Sequence, residues 1–174
     1  EFKKLIELLL SDWDNLKRAV DNRRVKLLEN EKVQQYYFDA SEAEQWMSEQ
    51  ELYMMSDDRG KDEFTAQNIK RKHEAIAAAI RDYNNTINQL KDTANSLINE
   101  KVSESDRILQ RQSEIDKLYT QLNDLASERR SRLDEGLDLF KLNREIEDLM
   151  QWISERDAIA NSHDLGQDLD HVIM

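Results

Sequence analysis

The chain of 174 residues contains no cysteine and no proline, and only three glycines. Without cysteine there is no disulfide framework, thiol nucleophile, thiolate-bound zinc or iron–sulfur cluster. Gly60, Gly136 and Gly166 lie too far apart to form a phosphate-cradling loop. Long apolar runs are also missing: Leu8–Leu10 with Leu5 and Ile6 falls far short of a membrane span, and direct membrane insertion is not expected. Lys3 and Lys4 precede a stretch broken at Glu7 and Asp12, so no signal peptide is expected. Basic residues are in deficit, with Lys+Arg 25 against Asp+Glu 37 and a net charge of -12. That balance argues against nucleic acid, whose binding depends on neutralising phosphates.

What is present is helix-forming. Glu, Lys, Arg, Gln, Leu and Ala dominate, and hydrophobic residues make up 39% of the chain, enough to build a core. The expected class is all-α with few turns.

One internal offset stands out. Gln45-Trp46-Met47-Ser48-Glu49 matches Gln151-Trp152-Ile153-Ser154-Glu155 at a spacing of 106 residues. The same spacing places Trp13 on Tyr119, Leu16 on Leu122, Arg23-Arg24 on Arg129-Arg130, Leu27 on Leu133, Gly60 on Gly166 and Asp62 on Asp168. Helix propensity alone requires none of these matches, and a fixed spacing marks a tandem repeat.

Polar stretches at Ser56–Glu63, Asn99–Glu104 and Asn161–Gly166 interrupt the helical periodicity. Between them the spacing predicts helix A over about Asp39 to Met55, helix B over about Phe64 to Ile98 and helix C from Ser105 to about Leu133. Nothing breaks the pattern between Ser105 and Ala160, or between Trp13 and Trp46, so each C helix is expected to run unbroken into the next A helix. The expected architecture is a left-handed three-helix bundle with continuous helices leading to partial neighbours. Residues 1–35 form the C-type helix of a preceding repeat. Residues 36–140 make a complete repeat, and 141–174 supply an A-type helix and the start of a B helix. Core positions are expected at Trp46, as keystone, and at Ile76, Ile80, Tyr119 and Leu122, with Trp13 and Trp152 as their counterparts in the partial repeats. Trp46, Gln50 and Tyr53 are expected to face helices B and C.

These features, namely the period, the tryptophans of helix A, Trp13 and Tyr119 in helix C, the Arg-Arg pairs and the unbroken C-to-A helix, resemble the spectrin-repeat family over the whole chain. Gln35–Ala40, Glu44–Ser56 and Ser162–Asp168 look like later central rod repeats of a β-spectrin chain, with α-spectrin, α-actinin and dystrophin-like rods as other sources. The resemblance implies a structural spacer and scaffold in the cytoplasm, at the membrane skeleton of the cell cortex. It implies lateral pairing with α-spectrin. Ankyrin binding is implied only through nearby repeats not fully present in these residues, and actin binding only through a separate domain of the family.

No residue set suggests an enzyme, a cofactor or a metal. His73 lies on the apolar stripe of helix B and reads as a packed histidine. His163 and His171 form no zinc pattern. The carboxylates Asp57, Asp58 and Asp62, and Asp164 and Asp168 one period later, do not follow the calcium-loop pattern. The segment from Tyr36 to Asn68 holds Lys+Arg 2 against Asp+Glu 9. Tyr36, Tyr37, Phe38, Asp57, Asp58 and Asp62 are therefore the candidate partner surface, with inter-repeat packing as the alternative for the aromatics. Apolar stripes on the partial repeats suggest weak self-association.

Overall fold

The computed structural model describes residues 1–161; Ser162 to Met174, with His163, Asp164, Gly166, Asp168 and His171, lie outside the described residues. Four helices follow in order: α1 (Phe2–Met54), α2 (Glu63–Asp82), α3 (Asn84–Asn99) and α4 (Ser105–Ala160). The described residues are all-α, and their helices pack as a three-helix bundle.

The long helices are unbroken where the sequence lacks a breaker. Helix α1 runs for 53 residues and α4 for 56, the latter passing through Gly136. Their burial is uneven. Residues 1–32 are exposed throughout, whereas from Val33 onward α1 buries Val33, Tyr36, Ala40, Ala43, Met47 and Met54. Steps of three, four and seven make this a coiled-coil seam.

Two compact units divide the chain. The first joins Glu1–Ser56 to Ala75–Ser127. Its core sets the α1 seam against Ile80 of α2, Ile87, Leu90, Ala94 and Leu97 of α3, and Ile108, Ile115 and Leu122 of α4. Each fully buried Leu or Ile contributes about 1.5–3 kcal/mol. The second unit joins Asp57–Glu74 to the chain from Glu128 onward, and among the described residues it buries Ala66, His73, Leu133 and Leu137.

The loops are fixed by backbone geometry. Gly60 adopts φ +87, and an added Cβ there would lie 2.6 Å from the Ala66 nitrogen. Asp62 caps α2: its carboxylate accepts from the Thr65 N–H at 2.7 Å, while the Thr65 hydroxyl accepts from the Asp62 N–H at 3.1 Å. The Thr65 N–H, and then the Thr65 hydroxyl donating at 2.8 Å, hold the Asp62 carboxyl below its ordinary range. After α3, Lys101 takes the left-handed conformation at φ 55. Its N–H reaches the Ile98 carbonyl at 3.0 Å and that of Val102 reaches Leu97 at 3.5 Å, a Schellman closure sealed by buried Val102.

Helix B departs from expectation in one respect. It is two helices, α2 and α3, separated at Tyr83. The Tyr119 hydroxyl donates to the Ile80 carbonyl at 2.9 Å, and in a continuous helix the partner of that carbonyl is the N–H of Asn84. A side chain inserted into the helical ladder breaks it locally. Backbone bonds from Tyr83 to Ala79 and from Ile87 to Tyr83 persist on either side.

Candidate functional site

The chemistry of the first unit is concentrated in an aromatic and polar layer between its helices. Tyr36 is 0% exposed. Its hydroxyl lies 3.2 Å from the Gln112 side-chain oxygen and 3.4 Å from the Ile108 carbonyl, and the Gln112 amide in turn donates to Asp116 at 3.0 Å. Burial, with a smaller contribution from Tyr37, pushes the Tyr36 phenol up to about 12. This corrects its assignment to a partner surface: its position on the α1 seam turns it inward, and the hydroxyl finds acceptors on α4.

Tyr37 is partly buried against the core and donates to Glu104 at 3.1 Å. Burial and that carboxylate together raise its phenol. Phe38, on the remaining face of the turn, is exposed.

The indole of Trp46 stacks on Tyr83, with centroids 3.8 Å apart and planes 13° from parallel. It is partly buried, at the flank of the core. The expectation of a keystone enclosed by three helices is corrected, because the seam passes through the adjacent Met47. Tyr53 is likewise exposed, while neighbouring Met54 is buried. Ile80 and Leu122 lie in the buried core, and Ile76 and Tyr119 are partly buried against it. Trp13 and Trp152, expected as core counterparts, are 56% and 54% exposed. Each has a cation over its ring from its own helix, Lys17 at 5.6 Å and Arg156 at 5.7 Å.

Charged pairs join the helices of each unit. In the first, Lys32 reaches Glu100 at 2.9 Å, Lys91 reaches Asp116 at 3.0 Å, and Arg111 pairs with Glu44. In the second, Arg132 reaches Asp57 at 3.0 Å, Lys70 reaches Asp134 at 2.6 Å, and Arg144 pairs with Glu63. The exposed loop carboxylates therefore serve the loop itself: Asp57 binds Arg132, Asp58 accepts from the Gly60 N–H at 3.0 Å, and Asp62 caps α2. Arg129 is held below its ordinary range chiefly by burial and then by Arg132, while Asp57 and Asp58 oppose that shift. Arg130 approaches Asp134 at 3.9 Å.

Among the described residues no group of His, Asp or Glu could hold a metal ion. None of their helices is long and apolar enough to cross a membrane. The site is a packing site, and its chemistry is that of helix alignment.

Sequence comparison gives the same architecture a family. The spectrin-repeat model matches residues 31–135 and 137–173. The chain is similar to the spectrin beta chain of Drosophila melanogaster, with 55% identity over 174 residues, covering all of this chain and 8% of that protein. It is 43% identical over 166 residues to the erythrocytic spectrin beta chain of Mus musculus, covering 95% of this chain and 8% of the relative. With the Homo sapiens spectrin beta chain, non-erythrocytic 4, identity is 39% over 167 residues, or 96% of this chain and 6% of the relative. The chain thus spans less than a tenth of the length of these relatives. A three-helix bundle, a repeat matched twice and similarity to beta chains along the whole sequence place the chain in the spectrin-repeat family.

Proposed function

We propose that the chain is a spacer segment of a β-type spectrin rod, from its later central part, working in the cytoplasm at the cell cortex. In this reading residues 36–140 are the complete repeat, and 1–35 and 141–174 belong to its neighbours. The observation that carries it is the unbroken α4, which continues for 56 residues from the complete bundle into the second family match. A continuous helix resists rotation between successive bundles, because turning one against the other bends or unwinds hydrogen-bonded backbone. Tension is then borne along the chain by the helix itself.

Proline at Asp138 tests this. It removes a helical donor and clashes with the preceding turn, at a cost of about 3 kcal/mol. The expected result is equilibrium unfolding that separates into two transitions, with loss of helix around residue 138 by circular dichroism and hydrogen exchange. An unchanged, single cooperative transition refutes the role of helix continuity.

A second reading is a protein-binding module contributing to lateral α-spectrin pairing or to an adjacent ankyrin-binding site. From Val33 to Asp58 the sequence contains no Lys or Arg. That stretch exposes Phe38 and Leu52 and borders a groove lined by Asp39, Glu42, Tyr83, Thr86, Gln89 and Thr93. Titration with α-spectrin repeats and with ankyrin at increasing salt distinguishes the readings: recognition by this face gives saturable binding that weakens with salt, and a passive spacer gives none. Any actin crosslinking belongs to the whole protein, through a domain outside these residues.

A further inference from the structure

Among the described residues the second unit buries an imidazole beside three apolar side chains. His73 is 3% exposed, and neither of its ring nitrogens has a hydrogen-bond partner. Buried polar groups normally find partners, because desolvation without a compensating bond is costly. A neutral ring can remain in such a place as a flat, weakly polar filler. A charged one has far more to lose, since an unpaired buried charge carries the full desolvation penalty.

The groups facing the ring give a proton little to bind to. From α4, Arg129 and Arg130 oppose a positive charge, and Asp134 favours one; from α2 itself, Glu74 favours one. Asp134 is already engaged by Lys70 at 2.6 Å and approached by Arg130 at 3.9 Å, and Glu74 is exposed to solvent. The buried Nε atoms of Arg129 and Arg132 have no hydrogen-bond partner either, and the buried Asp134 Oδ1, also without one by hydrogen-bond geometry, lies against the Lys70 ammonium at 2.6 Å. Burial first, and then the two arginines, hold the imidazole below its ordinary value of 6.5.

We propose that His73 is a proton-operated latch: the neutral ring keeps the 57–74 segment packed on α4 beyond Glu128, and protonation of the ring releases that packing. The first unit contains no histidine, so the response is confined to the second. The ion pairs that join the 57–74 segment to α4, Lys70 with Asp134, Arg132 with Asp57 and Arg144 with Glu63, contain no histidine. The latch goes beyond the spacer role, which does not depend on it.

The direction follows from linkage. The open state binds a proton near 6.5, and the closed state binds it only at lower pH. Closed packing is therefore fully stable above 6.5 and loses stability as pH falls from there towards the folded value. While the closed ring stays neutral, each pH unit below 6.5 raises the open population by up to about tenfold.

Amide hydrogen exchange on the whole chain at pH 7.5 and 5.5, corrected for intrinsic rates, tests the proposal. The expected result is an opening of residues 64–74 and 129–137 that rises by up to about tenfold at the lower pH, with no matching change at 33–47 or 108–122. His73→Leu and His73→Gln, one apolar and one polar but neither titrating, should both lose the pH response. A proton NMR titration of the wild-type ring provides a reading that does not depend on how the variants fold, and should give a midpoint below 6.5. A pH response that survives in either variant, no response in the wild type, or a ring midpoint at or above 6.5 overturns the latch.

Discussion

The Tyr119 hydroxyl and the Ile80 carbonyl, 2.9 Å apart, meet where helix B divides. The phenol has taken the acceptor that the backbone of Asn84 would otherwise use. The break therefore coincides with a contact from α4, a side chain 39 residues away in sequence, and α2 and α3 contain no glycine or proline.

Tyr119→Phe should close the break. With the hydroxyl gone, the Asn84 N–H can bond to Ile80, and the net change in stability should stay within about 1 kcal/mol because one hydrogen bond replaces another. Slower hydrogen exchange at Asn84 is the expected sign. Unchanged exchange there would show that the phenol does not cause the interruption.

Burial orders two aromatic truncations. Tyr36→Ala removes a fully buried ring and should cost about 3–5 kcal/mol, whereas Trp46→Ala removes a partly buried indole stacked on Tyr83 and should cost about 2–3 kcal/mol. Urea denaturation of both variants checks the order. A larger loss at Trp46 would restore it as the keystone.

The two described glycines should respond in opposite directions to alanine. At Gly136 a new Cβ meets Arg59 side-chain carbons at 3.8 and 3.9 Å, ordinary contact distances, so Gly136→Ala should stabilise α4 by about 1 kcal/mol. At Gly60 the positive φ and the close backbone of Ala66 oppose any side chain, and Gly60→Ala should destabilise by about 1–3 kcal/mol. Thermal melts of the two variants should move apart.

The exposed stripes of Ile6, Leu9, Trp13 and Leu16 on α1, and of Leu149, Trp152 and Ile159 on α4, should give weak, concentration-dependent pairing between copies of this chain. In the repeat register Trp13 is equivalent to Tyr119 and Trp152 to Trp46, and those two equivalents both pack against the helix-B segment around Ile80 and Tyr83. Sedimentation equilibrium should show a dimer that is weakened when both tryptophans become alanine. A monomer mass up to about 200 μM, far above the micromolar range of a modest association, would exclude it.

The architecture was legible because it rests on coarse signals. Absent proline left α1 and α4 nothing to end them, and the glycine-bearing polar loop at 56–63 announced its turn. What could not be read was angular detail within a helix. A shift of one residue turns a side chain by about 100°, so Tyr36 and Met47 face inward while the neighbouring Phe38 is exposed and Trp46 lies at the flank. Three consecutive aromatics at 36–38 carry no periodic signal of their own to say which is buried. The division at Tyr83 was hidden for another reason: it lies where a side chain from α4 meets the helix, and neither α2 nor α3 carries a breaker of its own. The left-handed turn at Lys101 was obscured because glycine is the usual residue there, although the buried Val102 that follows is the hydrophobic half of the same motif.

The polar chain from buried Tyr36 through buried Gln112 to the partly exposed Asp116 has a consequence for how the bundle fails under load. A hydrophobic seam of Ala, Met, Leu and Ile is nearly as content after sliding by one heptad, since apolar side chains are interchangeable neighbours. A phenol and an amide are not. Moving α1 along α4 by one heptad would carry the Tyr36 hydroxyl away from its acceptors and strand it in a dry interior, so this pair acts as a vernier that selects one alignment among several of similar apolar content. Pulled along its axis, such a bundle is expected to hold its setting and then yield abruptly, rather than creep from one register to the next.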